Sequence, residues 1–495
     1  MSSRRSWWMA LASLAFLASI VAAWWRESHQ PWQNWQVQAY RLQAAQLAAR
    51  IANELDSGTR ASLEAQRAEV LSAQPRIITL IPQQTNKPEL CLTCHTGIED
   101  ISPSHPAEAM GCVMCHGGDP LALDANRAHA GMYGAEGTSL SKRNPGDLSV
   151  AQQACGQPQC HAGFSDPTRN HIERVNHSLQ ATYASAIAQV RFTFGAQPDN
   201  RARLSIAAVS DNSPTIPSNA LRSLDKFDPS KETSPGVLKF ASDCLTCHLS
   251  APVATSLNRP YFYRSTGCSA CHYLYADDGL YRGLDPTVPR DEPNHGATHR
   301  LTTQIPYSQC NHCHNRGNYS LKQMTFLERD DLYPAQLAGL SAQDRRPRDY
   351  YQPIAQFVSC EWILDCVDCH TSAEAMGDDH IYGTKKDAAY HQCKTCHGTL
   401  TEPPLTTVIT DTEELAMREA RLNDIPLQVG DRVLVTDRGE KLGHIQWPVT
   451  STVPILTMQV THQVYTVPLV MGSQCPQKAD EQASRFCHEC HAVKR

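Results

Sequence analysis

The chain has 495 residues, a formal net charge of −6, 41% hydrophobic residues and only 7% aromatic residues. It contains no run of basic residues, which excludes a nucleic-acid-binding surface built on clustered lysine and arginine. Its length would allow about two to four domains, but the apolar fraction is modest for cores of that total size. Something other than side chains must therefore supply part of the core.

Residues 7–25 form an uncharged segment that has a pair of tryptophans at each end and follows two arginines. A helix over this segment would be about 28 Å long, close to the hydrocarbon thickness of a bilayer, and its tryptophans would lie at the interfaces. We therefore predict an N-terminal membrane anchor over 1–30, in the inner (cytoplasmic) membrane, with the bulk of the chain periplasmic. The alternative is a cleaved signal peptide, since Val21 and Ala23 satisfy the small-residue rule for cleavage.

Residues 31–84 have the pattern of a helical leader. Apolar residues recur at three- and four-residue steps at Val37, Tyr40, Ala44, Leu47, Ile51 and Leu55. This spacing predicts an amphipathic helix, and a second helical stretch follows up to Pro75. The apolar stripe must be covered, either by a partner in homo-oligomeric association or by folding back on the rest of the chain.

The pattern Cys-x-x-Cys-His occurs eight times. The copies are Cys91, Cys94 and His95; Cys112, Cys115 and His116; Cys244, Cys247 and His248; Cys268, Cys271 and His272; Cys310, Cys313 and His314; Cys366, Cys369 and His370; Cys393, Cys396 and His397; and Cys487, Cys490 and His491. In this order of residues two sulfurs add to the haem vinyl groups, and the histidine becomes the proximal ligand of the iron. Zinc knuckles and redox dithiols are the alternative, but neither needs the following histidine.

A ninth copy, Cys155, Cys160 and His161, has four residues between its cysteines instead of two. Gly156 and Pro158 would let the longer loop fold over the haem edge. We therefore predict nine covalently bound haem c groups, or eight if the longer spacer is not used.

The motifs divide the rest of the chain into modules. We predict a trihaem module, a haem-free insertion, a pentahaem module, a small β-rich insertion and a C-terminal haem segment, over 85–180, 181–243, 244–400, 401–474 and 475–495 respectively. Nine macrocycles would replace much of the side-chain core. The expected fold class is a multihaem cytochrome c of mainly short α-helices and long loops around nine haems, with the membrane helix and the amphipathic leader helix before it.

Two stretches without motifs have β patterns. Residues 189–194 and 203–209 alternate or cluster like strands around a turn, which predicts a small hairpin. Residues 429–445 predict a second hairpin with its turn at Asp437 to Gly439, and 455–470 predict at least one further strand.

The histidines outside the motifs decide whether each iron has a second protein ligand or an open face. The nine motif histidines leave thirteen of the 22, of which His29 lies by the membrane, while His312 and His488 lie inside motifs. The candidates for distal ligands are His105, His129, His171, His177, His295, His299, His380, His391, His444 and His462. An iron with two protein ligands carries electrons, whereas an open face can bind substrate. Met110, Met132 and Met376 could replace one or two histidines and would raise those potentials.

Cys360 and Cys475 remain outside the motifs. Thioether attachment and disulfides both belong to compartments outside the cytoplasm, so a bridge between the two is one interpretation. Two free thiols, or a cysteine near an iron, are the alternatives, because connectivity cannot be read from spacing.

Three stretches, 105–119, 268–320 and 365–383, resemble a family of large, membrane-anchored nonahaem cytochromes c of bacterial respiratory chains. The resemblance extends over most of 85–495, together with the anchor and the leader. It implies electron transfer between a quinol-oxidising membrane complex and periplasmic or extracellular acceptors, with other cytochromes as partners. It names no substrate, because one fold and haem content serve many pathways.

Three functions follow as hypotheses. The first is an electron carrier with nine haems and no catalytic residue. The second is a multihaem oxidoreductase acting on a nitrogen or sulfur compound at one open-face haem; the absence of Cys-x-x-Cys-Lys removes one signature of nitrite reductases but not this option. The third is a subunit of a cytochrome filament that assembles through the leader helix.

Overall fold

The computed structural model describes residues 2–28, 30–136, 143–156, 159–245, 248–251, 254–255, 263–276, 279–292, 295–310, 355–356, 360, 363–475 and 493–494. These residues belong to two units. The first unit contains the described residues up to Tyr133, together with Arg143 and the later segment Leu280–Arg300. The second unit contains most of the remaining residues. The predicted haem residues Cys247, Cys313, His314, Cys487, Cys490 and His491 lie outside the described residues.

Helices in the first unit are Ser2–Ser28 (α1), Pro31–Asn53 (α2), Ser57–Ser72 (α3), the 3-10 helix Cys91–Thr93, Ala107–Met110, Val113–His116 and Ala125–Ala128. The second unit has the helices Ala151–Ala154, His171–His177, Leu179–Thr182, Ala184–Thr193, Pro235–Asp243, Ser269–His272, Tyr307–Cys310, Cys366–Cys369, Ser372–Met376, Lys385–Ala388, Cys393–His397 and Leu415–Leu422, and the 3-10 helices Pro167–Arg169 and Pro229–Lys231. Apart from the first three, most are one or two turns long, as the sequence predicts. The haem part of the predicted fold class stays a prediction.

The first helix, α1, contains Trp7–Trp25, the candidate membrane span found among the described residues. The segment is long and apolar enough to cross a bilayer, and none of it is buried against the protein. A signal sequence would have the same length and composition.

The leader folds as a helical hairpin of α2 and α3. Asp56 caps α3, because its carboxylate accepts a hydrogen bond from the Thr59 N–H at 2.7 Å. The buried residues of the two helices are Trp32, Gln36, Ala39, Ala44 and Leu63. This face differs from the predicted stripe, because its centre is a glutamine and not an apolar residue.

Gln36 ties the leader to the first haem motif. Its side chain is fully buried and donates to the carbonyls of Arg76 at 2.7 Å and of Thr93 at 2.9 Å. Its carbonyl oxygen accepts from the Arg76 N–H at 2.8 Å. Thr93 lies between the two cysteines of the motif, so the leader folds back on the haem region of its own unit, one of the two predicted arrangements.

Replacement of Gln36 by leucine is expected to reduce the free energy of unfolding of the first unit by about 2–4 kcal/mol, because two carbonyls and one N–H would stay buried without partners. Chemical denaturation of the holoprotein, followed by hydrogen exchange of α2 amides, measures this loss. The matched control is Gln38→Leu on the exposed face of the same helix, which should change stability by about 0.5 kcal/mol or less. Equal effects of the two substitutions would contradict the role given to Gln36.

The predicted hairpin at 189–194 and 203–209 is wrong. The first of these stretches lies almost entirely in the helix Ala184–Thr193, whose buried residues Ala184, Ile187 and Ala188 recur at helical spacing. The second contributes two short strands, Leu204–Ser205 and Val209–Ser210, which flank Ser223–Lys226 in a three-stranded sheet. Burial of Ile187 with Phe227, Val237 and Phe240 outweighs the β propensity of the stretch.

The β-rich insertion contains a five-stranded antiparallel sheet, and its predicted hairpin is confirmed. The strands, in spatial order, are Val464–Thr466, Ile455–Thr457, Lys441–Gln446, Arg432–Val435 and Thr406–Val408. Gly439 in the turn has φ 85°, which glycine adopts without strain. One face of the sheet packs on Cys396, so this insertion supports the eighth attachment motif.

The remaining strands form two-stranded pairs in the second unit. They are Ala220–Leu221 with Ile381–Tyr382, Ala254–Thr255 with Tyr263–Arg264, and Ala355–Gln356 with Val493–Lys494. The first of these pairs connects the haem-free insertion to the pentahaem module.

Candidate haem-binding centres

Five of the described attachment motifs coincide with single turns of helix, which are the 3-10 helix Cys91–Thr93 and the helices Val113–His116, Ser269–His272, Cys366–Cys369 and Cys393–His397. In such a turn, residues three apart share a face, so both cysteines of a motif can point to one side. The backbone N–H of the motif histidine donates to the carbonyl of the first cysteine, at 3.0 Å in His95 and His116, 3.1 Å in His272 and 2.8 Å in His370. The turn therefore fixes the histidine relative to the two sulfurs.

The long-spacer motif at Cys155, Cys160 and His161 is the third in chain order, the order in which the sites are numbered, and it closes in the same way. The N–H of His161 donates to the carbonyl of Cys155 at 3.1 Å. Gln159 in the loop has φ 61°, a left-handed conformation that takes up the extra residues. The longer loop thus returns His161 to the position that the histidine has in the shorter motifs, which fits a haem site.

In four motif histidines, Nδ1 lies within hydrogen-bond distance of an oxygen atom of the protein. Nδ1 lies 2.7 Å from Asp285 Oδ2 in His95, 2.8 Å from the Thr302 carbonyl in His272, 3.1 Å from Glu374 Oε2 in His370 and 2.7 Å from the Pro468 carbonyl in His397. Metal-bound histidines use one ring nitrogen for such a bond and the other for the metal. The pattern leaves Nε2 of each ring available to iron.

Three motif histidines face a histidine from elsewhere in the chain. An imidazole nitrogen binds a first-row metal at about 2.0 Å, and the ring centre lies about 1.1 Å behind it, so two rings on opposite faces of one iron have centroids about 6 Å apart. The centroids are 6.1 Å apart for His95 and His129, 5.9 Å for His116 and His299, and 5.3 Å for His161 and His171. These separations fit axial pairs, the first two most closely.

Burial of His116 and His171 favours the neutral imidazole that a metal ligand requires. Burial, with the charge of His299 as the next cause, lowers the pKa of His116 to about 3. Burial and the neighbouring His161 likewise lower the pKa of His171 to about 3. In His299, Nδ1 lies 3.0 Å from the Glu99 carbonyl, which orients the ring as in the motif histidines.

Other distal candidates also have Nδ1 engaged. Nδ1 lies 2.8 Å from the Asp379 carbonyl in His177, 2.9 Å from Asp211 Oδ2 in His380 and 2.9 Å from Ser102 Oγ in His105. His177 and His380 thereby keep Nε2 for a ligand. His295 lies in the segment that the first unit receives from the middle of the chain.

Two candidates are arranged differently. His444 places Nε2 3.0 Å from the Asp368 carbonyl, so this nitrogen already has a partner. His462 is exposed, and its Nε2 lies 3.5 Å from Gln304 Nε2. Met110, offered above as an alternative ligand, accepts a bond from Gln84 at 3.0 Å.

In the first unit, the first two attachment sites touch. A hydrogen bond between the free thiols lowers the pKa of Cys91 and raises that of Cys112. The two sulfurs and a carboxylate oxygen of the buried Glu89 all lie within 4.8 Å of one another. Haems attached here would meet at their thioether edges.

In the second unit, four consecutive sites follow one another in space. A hydrogen bond with Cys366, burial and the neighbouring Cys271 raise the pKa of Cys310. Burial, with Cys396 as the next cause, raises the pKa of Cys369. Because such electrostatic effects weaken with distance, the fifth, sixth, seventh and eighth sites are neighbours in that order.

The structure contains no disulfide between Cys360 and Cys475, so the interpretation as a bridge is wrong. Cys360 instead lies near Cys369 and Cys396, because its charge is among the causes that raise their pKa values, that of Cys396 to about 12. This thiol is therefore close to the seventh and eighth sites.

Sequence reasoning missed the residues that hold the histidines. Asp285, Glu99 and Glu374 are acidic side chains without a motif, and only Glu374 carries a local signal, since it lies four residues after His370. Comparison with family models, with curated proteins and with solved structures finds no match. The family named from the resemblance therefore stays a prediction.

Proposed function

We propose that this chain is a membrane-anchored nonahaem cytochrome c that relays electrons between a quinol-oxidising membrane complex and periplasmic or extracellular acceptors. Haem iron bound in these sites would alternate between its ferric and ferrous states. The chain contributes the thioether bonds, the axial imidazoles and the hydrogen bonds that orient them. Other cytochromes are the expected partners at its surface.

The contact between neighbouring attachment sites carries the proposal. Cys91 touches Cys112 in one unit, and Cys310 touches Cys366 in the other. Electron transfer between redox centres slows steeply with the distance between their edges. Attachment sulfurs in contact would bring two macrocycles edge to edge, which suits a relay and is not required of isolated catalytic centres.

The paired histidines support transfer over catalysis. His129, His299 and His171 lie where they would close the second face of three irons. An iron with imidazole on both faces has no position for a substrate. Its low-spin state also changes little in geometry between oxidation states, which favours rapid transfer.

Nine haems are expected on the purified holoprotein. Intact-mass spectrometry under denaturing conditions should show nine haem additions to the 54.8 kDa chain, less any N-terminal segment that is removed. The pyridine haemochrome assay should give the same count. A count of eight, with Cys155 and Cys160 open to alkylation, would remove the long-spacer site alone, and a count of zero would end the proposal.

The anchor determines where the relay works. With α1 retained in the inner membrane, Arg4 and Arg5 at its start would hold the amino terminus in the cytoplasm and place the haem region in the periplasm. N-terminal sequencing of protein extracted from membranes tests this placement. A mature chain that begins at Trp24 and appears in the soluble periplasmic fraction would contradict it.

An oxidoreductase with one open face is the second candidate, and the fourth site favours it. Here a tyrosine packs against the motif histidine, with the ring centroids of Tyr183 and His248 5.9 Å apart. Tyr183 has φ 55°, a strained conformation of the sort found at functional sites. A high-spin signal near one spin per protein that shifts with nitrite or hydroxylamine would place this candidate first.

A further inference from the structure

The seventh site contains a buried carboxylate between two histidines. Glu374 is 1% exposed at its side chain, and its Oε2 lies 3.1 Å from His370 Nδ1 and 2.6 Å from His391 Nδ1. Its Oε1 accepts from the backbone N–H groups of Tyr390 at 2.6 Å and His391 at 2.7 Å. These bonds fix the orientation of the carboxylate, so its Oε2 contacts both imidazoles at the same time.

These two rings do not have the geometry of an axial pair. Their centroids are 4.8 Å apart and their planes are perpendicular at 89°, whereas rings on one iron need about 6 Å. Both Nδ1 atoms also converge on a single oxygen, so the Nε2 atoms point in divergent directions. His370 and His391 consequently serve two different irons.

The position of His391 in the chain agrees with this division. It precedes Cys393, the first cysteine of the eighth site, by two residues, so it belongs to the segment that carries the eighth attachment turn. Glu374 belongs to the helix Ser372–Met376, directly after the seventh motif. One carboxylate thus links the ends of two separately attached segments.

We propose that Glu374 is a shared positioning residue that couples the reduction potentials of two haems, through hydrogen bonds from an axial imidazole of each. This inference rests on the proposed function. A carboxylate acceptor makes an imidazole more basic and stabilises ferric iron, so it lowers both potentials. When one iron is oxidised, its imidazole donates more strongly to the common oxygen and weakens the bond from the other. Because the carboxylate is only 1% exposed, its bonds to the two imidazoles are screened little at the shared oxygen.

The test is the Glu374→Gln variant of the full-length holoprotein, studied by optical and low-temperature paramagnetic resonance titration against potential. Two haems should shift to more positive potential, two low-spin signals should change their g values, and the other haems should be unaltered. The matched control is Asp285→Asn, which removes a carboxylate from His95 alone and should shift one haem. A shift of one haem in the Glu374 variant, or of none, overturns the proposal.

A second variant decides the question if Glu374→Gln accumulates poorly. His391→Ala should create one high-spin haem while the iron of His370 stays low-spin at an altered potential. Absence of a high-spin haem, or conversion of the His370 iron itself, overturns the proposal. A stoichiometric non-haem metal bound by His370, Glu374 and His391, lost in either variant, would do so as well.

Haem counts on the same samples separate this inference from the proposed function. A wild-type protein without covalent haem would remove both. Nine haems with independent potentials at the seventh and neighbouring sites would leave the relay in place and remove only the coupling.

Discussion

Replacement of His299 by alanine is expected to convert one low-spin haem to the high-spin state and to leave the others unchanged. The ring centroids of His299 and His116 are 5.9 Å apart, close to the separation expected of two imidazoles on one iron, and the ring planes are inclined by 30°. Loss of the ligand opens the iron of the second site. Low-temperature paramagnetic resonance of the oxidised protein should gain an axial high-spin signal of about one spin per molecule, because one iron would lose its second imidazole ligand.

The control for this substitution is His299→Met. Methionine can still bind iron, so the haem should stay low-spin but move to a more positive potential. Carbon monoxide should bind one haem of the reduced alanine variant and none in the methionine variant. An alanine variant whose spectrum matches the wild type would show that His299 only shields the site.

Removal of the seventh haem is expected to divide the relay of the second unit. Cys366→Ala with Cys369→Ala leaves no sulfur for attachment at the site that lies between the sixth and the eighth. Electrons injected by a light flash should then equilibrate in two phases, the slower one by orders of magnitude, instead of in one. The holoprotein mass should fall by one haem.

The control removes a thiol that attaches no haem. Cys475→Ala should retain nine haems and the single fast phase. If the double variant kept fast equilibration with eight haems, the order deduced for the fifth to eighth sites would be incorrect.

Local patterns in the sequence predicted the elements that neighbouring residues determine. They did not predict the elements that depend on contacts between residues far apart in the chain. The hairpin around Gly439 and the helix α1 follow from turn chemistry and from hydrophobic length, which neighbouring residues determine. The stretch 189–194 was misassigned because the helix that contains it is stabilised by burial of Ile187 against Phe227 and Val237, which lie far along the chain. A two-residue alternation could not distinguish that helix from a strand.

The same limit applies to the candidate site. Spacing alone predicts the attachment cysteines and motif histidines, because attachment chemistry acts within one helical turn, and this assignment stays a prediction. The pairing of His116 with His299 depends on the return of the segment Leu280–Arg300 to the first unit, which no local signal announces. Glu374 was missed for a related reason, since its second partner, His391, belongs to another turn.

The hydrogen bonds of Gln36 to Arg76 and Thr93, here called the clamp, determine how close the first attachment motif lies to the predicted membrane anchor. In the sequence, a long stretch separates Trp25 from Cys91. As a flexible linker, this stretch would let the distance between the first haem and the membrane vary widely. Gln36, however, lies about 8 Å along α2 from its start, and it is bonded to the backbone inside the first motif. In the proposed function, the first haem would therefore stand at a short height above the lipid. A quinol-oxidising partner in the same membrane would then find it by lateral diffusion in two dimensions, and lengthening the leader after the clamp would leave that height unchanged.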